Sequence, residues 1–312
     1  MKGSVLKKII ICAVSAATVA FSAVAASSCS LETAHPEAQI TYEFNGNTYE
    51  VKYTLYRNMY PHTVRHFIEL AKENFYDNTI IHDYKTTDWF TGGYEYHADD
   101  YSALSGNANQ LSEYFELDSH SKEEAYYKLH LTPSVYKNRG YDDKQNETVN
   151  ADDALQTVMG EFYNNIHQDI EKGKLTAEYG CLKMYYYDKE TTQKIYVTPT
   201  KDQIIMADYK KNCATSLFGV QTGTSSSYSE NNYSVFARLS TTEVFDDLVD
   251  AVNEYISDNH GGTASNFYTA TEVRVDNLDT FSNESEKDRG ISVTFNVPKS
   301  PIIIKTVKIT KY

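Results

Sequence analysis

Two histidines one helical turn apart and four cysteines are the side chains of this 312-residue chain that could do chemistry. His62 and His66 are four residues apart, so a helix would place both on one side, as in a metal-binding pair. No third ligand accompanies them and they lie off the local apolar stripe. They therefore read as a solvated helix face, and no metal or other cofactor is expected. Cys12 lies in an apolar run, Cys29 follows a cluster of small residues, and Cys181 and Cys213 remain for the folded part. In an exported chain the last two are either a disulfide or a pair of free thiols. There is no nucleophile elbow, no clustered ligand spacing and no phosphate-cradling glycine loop, so nothing supports hydrolytic or metal-dependent catalysis.

The cysteine near the start belongs to an address. Lys2, Lys7 and Lys8 precede an apolar run from Ile9 to Ala26, and small residues crowd the stretch up to Ser28. This is the layout of a signal peptide, residues 1–28. Ala26-Ser27-Ser28-Cys29 resembles the lipobox of bacterial lipoproteins, in which the cysteine becomes the lipid-bearing N-terminus. Residues 29–38 would then be a tether anchored through Cys29 outside the cytoplasm. Cleavage after Ala23-Val24-Ala25, giving a secreted protein, stays open, as does an uncleaved anchor. Removing the three leader lysines, with no acid beside them, takes the formal charge from −14 to −17. Such a chain repels phosphate backbones and anionic headgroups, so nucleic acid is not an expected partner.

The elements that would position any site follow from pattern. Ile40–Phe44 and Thr48–Tyr56 alternate around Asn45-Gly46-Asn47, a hairpin signal. Pro61 opens a helix with Val64, Phe67, Ile68 and Ala71 on one face. A second helix starts at Ser240, where Ser240 and Glu243 form a capping box, and ends at Gly261-Gly262. Ser121–Leu131 suggests another helix, and Asn138–Asn150 reads as loop. Strands are expected at 180–187, 194–197, 203–207, 216–221, 233–239, 271–275, 290–297 and 302–309. Many short strands with two separated helices predict a mainly β fold, a closed antiparallel barrel plugged at its ends.

Several segments, in order, resemble the cyclophilin family of peptidyl-prolyl isomerases. Pro61-His62-Thr63-Val64-Arg65-His66-Phe67-Ile68-Glu69-Leu70 is similar to its first helix, and Tyr76-Asp77-Asn78-Thr79-Ile80-Ile81-His82 to the stretch after it. Thr91-Gly92-Gly93 follows His82 at the family's spacing. Gly160-Glu161-Phe162, Asn212-Cys213-Ala214-Thr215-Ser216-Leu217-Phe218 and Ser234-Val235-Phe236-Ala237-Arg238-Leu239 resemble further family segments, and Pro301–Ile304 the closing strand. The resemblance implies a closed eight-stranded antiparallel barrel over residues 39–312, capped by two helices, with a partly helical insertion at 95–158 and another at 186–203. Two segments fit the strand that carries the family's Met-Ala, 180–184 and 205–208, and spacing favours the second, with Ala207 in the pocket.

The resemblance also implies a mechanism. Rotation about an X-Pro bond faces a barrier of roughly 18–20 kcal/mol. A cyclophilin grips the proline ring in an apolar bowl while an arginine donates hydrogen bonds that favour the twisted amide. Here the arginine position is Asp83, beside a retained His82. The bowl positions fall on Asp88 and Trp89, the two glutamines on Thr91 and Leu217, and the ring-packing phenylalanine on Gly219, next to Phe218. Tyr233 falls where bacterial members often carry a tyrosine, Tyr228 is the candidate replacement for the outer aromatic, and a slip in the alignment would let Lys85 supply the cation. Two functions follow. One is a weak isomerase of the cell surface or periplasm that assists folding of exported proteins. The other is an inactive, cyclophilin-fold binding module for extracytoplasmic proteins or peptides. Either way a monomer that meets proline-containing peptides or exported proteins is expected.

Overall fold

Asn45 and Gly46, with φ of 48° and 77°, form the two-residue turn that twisted antiparallel strands require. The computed structural model describes residues 34–104, 106–117, 119–122, 158–159, 161–162, 174–184, 192–200, 203–210, 213–214, 216–224, 233–275 and 291–312. Signal peptide, Cys29, Tyr228, the helix expected from Ser121 onward and the Asn138–Asn150 loop lie outside them, apart from Ser121 and Lys122. Residues 34–311 pack as one unit.

In chain order the elements are β1 (Glu37–Phe44), β2 (Asn47–Leu55), α1 (Pro61–Lys72), β3 (Thr79–Ile80), β4 (Asp83–Tyr84) and β5 (Asp88–Thr91). The first insertion supplies α2 (Ala98–Leu104) and α3 (Ala108–Glu116), then β6 (Val158–Met159). Next come β7 (Leu182–Met184), β8 (Thr192–Thr200), β9 (Gln203–Lys210), β10 (Cys213–Ala214), β11 (Phe218–Gln221) and β12 (Ser234–Leu239). The chain ends with α4 (Glu243–His260), α5 (Ala264–Phe267), β13 (Tyr268–Val275), β14 (Ile291–Pro298) and β15 (Ile302–Lys311).

Nine of the strands form one antiparallel sheet in the order β3-β15-β1-β2-β12-β7-β11-β5-β4. Its two ends, β3 and β4, belong to one stretch of chain, 79–84. Within that stretch Ile81 N donates to Ile302 O on β15 and His82 N to Phe90 O on β5, each at 2.9 Å. The sheet therefore curls until both edges meet on the same segment. Counted as one strand, that segment makes the expected eight-stranded barrel.

The two long helices pack on different strands of the sheet, α1 on β15 and β12 and α4 on β1 and β2. α1 lays Phe67 against Phe218 and Phe236, with ring centroids 5.6 and 5.2 Å away. α4 and α5 bring Tyr255 and Phe267 onto Phe44, and Phe245 onto Trp89. The first turn of α1 starts with Pro61 and has no local side-chain cap. Glu161 supplies one from far along the chain, accepting from His62 N and Thr63 N at 3.1 and 2.9 Å.

Three expectations are corrected. His66 is buried at 1% exposure, not solvated, because α1 is covered on more than one face. The Ser240 hydroxyl bonds Thr54 instead of capping α4, whose N-cap is Thr242. The barrel strand between β12 and β11 is Leu182–Met184, whereas Ala207 lies on β9, paired with β8 in a separate two-stranded sheet. Spacing favoured the wrong segment because the β8–β9 pair lengthens the chain without joining the barrel sheet. β13 and β14 likewise pair with each other, outside the barrel sheet.

Candidate functional site

The β4–β5 hairpin presents the residues the sequence singled out. Its register sets Asp83 opposite Phe90 and Tyr84 opposite Trp89, and β11 continues it with Gly219 beside Phe90 and Val220 beside Trp89. Side chains alternate across a strand, so the candidates divide between two faces. Trp89 goes with Tyr84, stacked at 6.2 Å, and reaches Phe245 of α4. Thr91 is fully buried and donates to Ile80 O at 2.9 Å. Phe218 packs edge-on against Phe67 and Tyr76. These three are packing residues of the barrel, and Leu217 is buried next to them. Tyr233, just before β12, is partly exposed.

The other face carries Asp83, Lys85 and Phe90. Phe90 answers Gly219, since a Cβ built on Gly219 would stand 3.0 Å from its ring. An aromatic ring is thus present near the family's position but reaches it from the neighbouring strand. The Lys85 ammonium lies 5.4 Å from the centre of that ring and 3.6 Å from Asp83 Oδ2. Asp88, a bowl position, is fully buried and ion-paired with the equally buried Lys183. Thr87 Oγ1 donates to it at 3.0 Å. Gln221 lies beside the pair, and the Cys181 thiol points to the Gln221 amide oxygen at 3.7 Å. Cys181 is free, so it forms no bridge to Cys213, and burial pushes its thiol up to about 11. No group of three or more metal-ligating side chains stands together among the described residues.

His82 and Asp83 are not open to solvent. His82 is 3% exposed and Asp83 8%. The β13–β14 hairpin covers both. Phe295 meets the His82 ring at 4.9 Å, with Tyr94 on another side at 5.0 Å. Burial drives the His82 imidazole down to about 3, a backbone bond to Ile80 only partly offsetting it, so the ring is neutral. Its Nδ1 has no hydrogen-bond partner. Asp83 Oδ1 accepts from the backbone N–H of Asn296 at 2.9 Å. Burial raises the Asp83 carboxyl above the ordinary range, against the pull of that N–H and of Lys85.

The cover packs on the barrel through one shared cluster, in which Phe295, Val273 and Val297 meet Ile80, Tyr94 and Ile303 together with Tyr101, Leu111, Tyr114 and Phe115 of the first insertion. Tyr101 hydroxyl donates to Pro298 O at 2.5 Å and Ser112 hydroxyl to Glu272 O at 2.6 Å. Sequence reasoning missed Phe90, Lys183, Phe295 and Asn296. Only the paired change at Gly219 and Phe90 left a signal, one ring lost and another gained across the register.

The family model for cyclophilin-type peptidyl-prolyl cis-trans isomerases matches residues 40–276. No curated protein matches the sequence significantly. Among solved structures, a cyclophilin-type isomerase of Cryptosporidium parvum is 14% identical over 89% of this chain and 99% of its own, with a TM-score of 0.39. A structure of the same enzyme in the presence of the dipeptide Ala-Pro is 12% identical over 88% and 99%, with a TM-score of 0.38. A family match over residues 40–276, most of the chain, on a curled antiparallel sheet makes this chain a member of the cyclophilin-type peptidyl-prolyl cis-trans isomerase family.

Proposed function

We propose that the chain is an extracytoplasmic binding module on the cyclophilin scaffold, held to the membrane through a lipid on Cys29, that engages exported proteins or peptides without isomerising proline. One observation carries the reading. The position that must donate to a twisting proline amide is Asp83, an acceptor, and its carboxylate already takes the N–H of Asn296. An anion cannot stabilise the developing lone pair on nitrogen, and it repels the substrate carbonyl. The ring-gripping positions are spent elsewhere, Asp88 on Lys183 and Trp89 on the barrel. The weak-isomerase reading would need Lys85 as the cation, and Lys85 is paired with Asp83.

Two-dimensional exchange NMR of a short Ala-Pro peptide tests this. Uncatalysed exchange takes tens to hundreds of seconds, and the full-length protein at catalytic concentration should leave it unchanged. Acceleration that disappears on substituting His82 or Lys85 would establish the isomerase instead.

A further inference from the structure

We propose that β14 occupies, within its own chain, the place of a bound peptide strand, and that the ligands of this face are extended peptides that displace it. The inference rests on the binding-module reading and names its ligand class. β13–β14 shares no ladder with the barrel sheet. Asn296 faces Ala270 within the hairpin, yet its N–H leaves the hairpin for Asp83. Alternate residues of a strand turn their N–H groups outward, and any extended peptide carries the same row of donors. The change from cation to Asp83 then has a positive role. A donor suited to a carbonyl oxygen has become an acceptor suited to an amide N–H.

The fit of the hairpin is incomplete at one atom. Phe295 lays an apolar ring on His82 while Nδ1 stays buried without a partner. A buried polar atom left unpaired is costly. A peptide with a hydroxyl or amide side chain in the place of Phe295 would pair with it, an advantage the resident strand lacks. Proline is excluded at the place of Asn296, because it has no N–H for Asp83.

The probe is a fluorescent octapeptide with the sequence of residues 291–298, read by anisotropy against the full-length protein. Asn296→Pro in the protein removes the N–H that β14 gives Asp83 Oδ1 and leaves that oxygen open to another amide, with Lys85 still facing Oδ2. That variant should bind the peptide roughly ten- to hundredfold tighter than the wild type, the range expected for one charge-assisted hydrogen bond. The same peptide bearing Asn296→Pro should not bind. Should Asn296→Pro not fold, Asp83→Ala serves, with hairpin amides exchanging roughly ten- to hundredfold faster and Asp83→Asn restoring protection. Equal affinity for wild type and variant, or hairpin amides as protected in Asp83→Ala as in wild type, overturns the inference. Catalysed Ala-Pro exchange would sink the binding-module reading alone, since it does not bear on whether β14 and peptide compete.

Discussion

Asp83 and His82 show how a neighbouring element changes what a pair of ionisable side chains can do. Uncovered, the imidazole would titrate like any exposed histidine, but under Phe295 it is held neutral down to about 3. The sign of the consequence is fixed. An unfolded chain protonates this histidine near pH 6.5, so between about 6.5 and about 3 the unfolded state binds the extra proton. The stability attached to neutral His82 is present above 6.5 and is lost as pH falls through that window, by up to about 1.4 kcal/mol per pH unit. Asp83 works in the opposite direction. Its carboxyl is raised, so the cost of ionising it is absent in acid and appears as pH rises through the folded value. Urea unfolding at a series of pH values should show His82→Gln with a flatter acid-side slope than wild type. Identical slopes would mean that the ring is reached by solvent or paired with a proton acceptor.

At the scale of elements, the parts that local pattern dictates were legible. Asn45-Gly46 fixes the β1–β2 turn, and the apolar spacing of Val64, Phe67 and Ile68 fixes α1. Gly261, at φ 63°, ends α4 with Gly262 N returning to Ile256 O. Partnership was not legible. β13 and β14 read as strands, but alternation alone does not say which sheet a strand joins. The Asn107 cap of α3, followed by Leu111, Tyr114 and Phe115 at helical spacing, was a signal left unused. The site divided for the same reason, since a one-residue change of parity sends Trp89 and Thr91 to the barrel and Phe90 to the outer face. Long-range capping is the other element-level device. Glu161 is buried at 6% exposure and holds two amides of α1. Glu161→Ala should cost about 2 kcal/mol in chemical denaturation, with Glu161→Gln, which keeps one acceptor, costing less. If both variants match wild type, the cap contributes nothing to α1.

The whole molecule combines an acidic folded part with an address whose only charges are basic. Residues 1–28 hold three lysines and no acid, while the full chain carries 43 acidic residues against 29 basic ones. A chain of that charge gains nothing from anionic headgroups. No helix among the described residues is long and apolar enough to cross a membrane. The proposed membrane location rests on residues 1–29, and the readings of that segment differ in what they require. Lipidation needs the Cys29 sulfur, cleavage after Ala25 does not, and an uncleaved anchor needs only the apolar run. Under the proposed lipid anchor, Cys29→Ser should move the protein from the membrane pellet to the soluble extracytoplasmic fraction, or leave it uncleaved at higher apparent mass. Retention through acyl chains is apolar and owes nothing to surface charge, since the acidic chain is not drawn to anionic headgroups. The wild type should therefore stay in the pellet through a high-salt wash and leave it with detergent. Cys29→Ser protein that is processed normally and fractionates as wild type does would remove the lipid from the proposal, while leaving the barrel, its covered face and the competition at Asp83 as they stand.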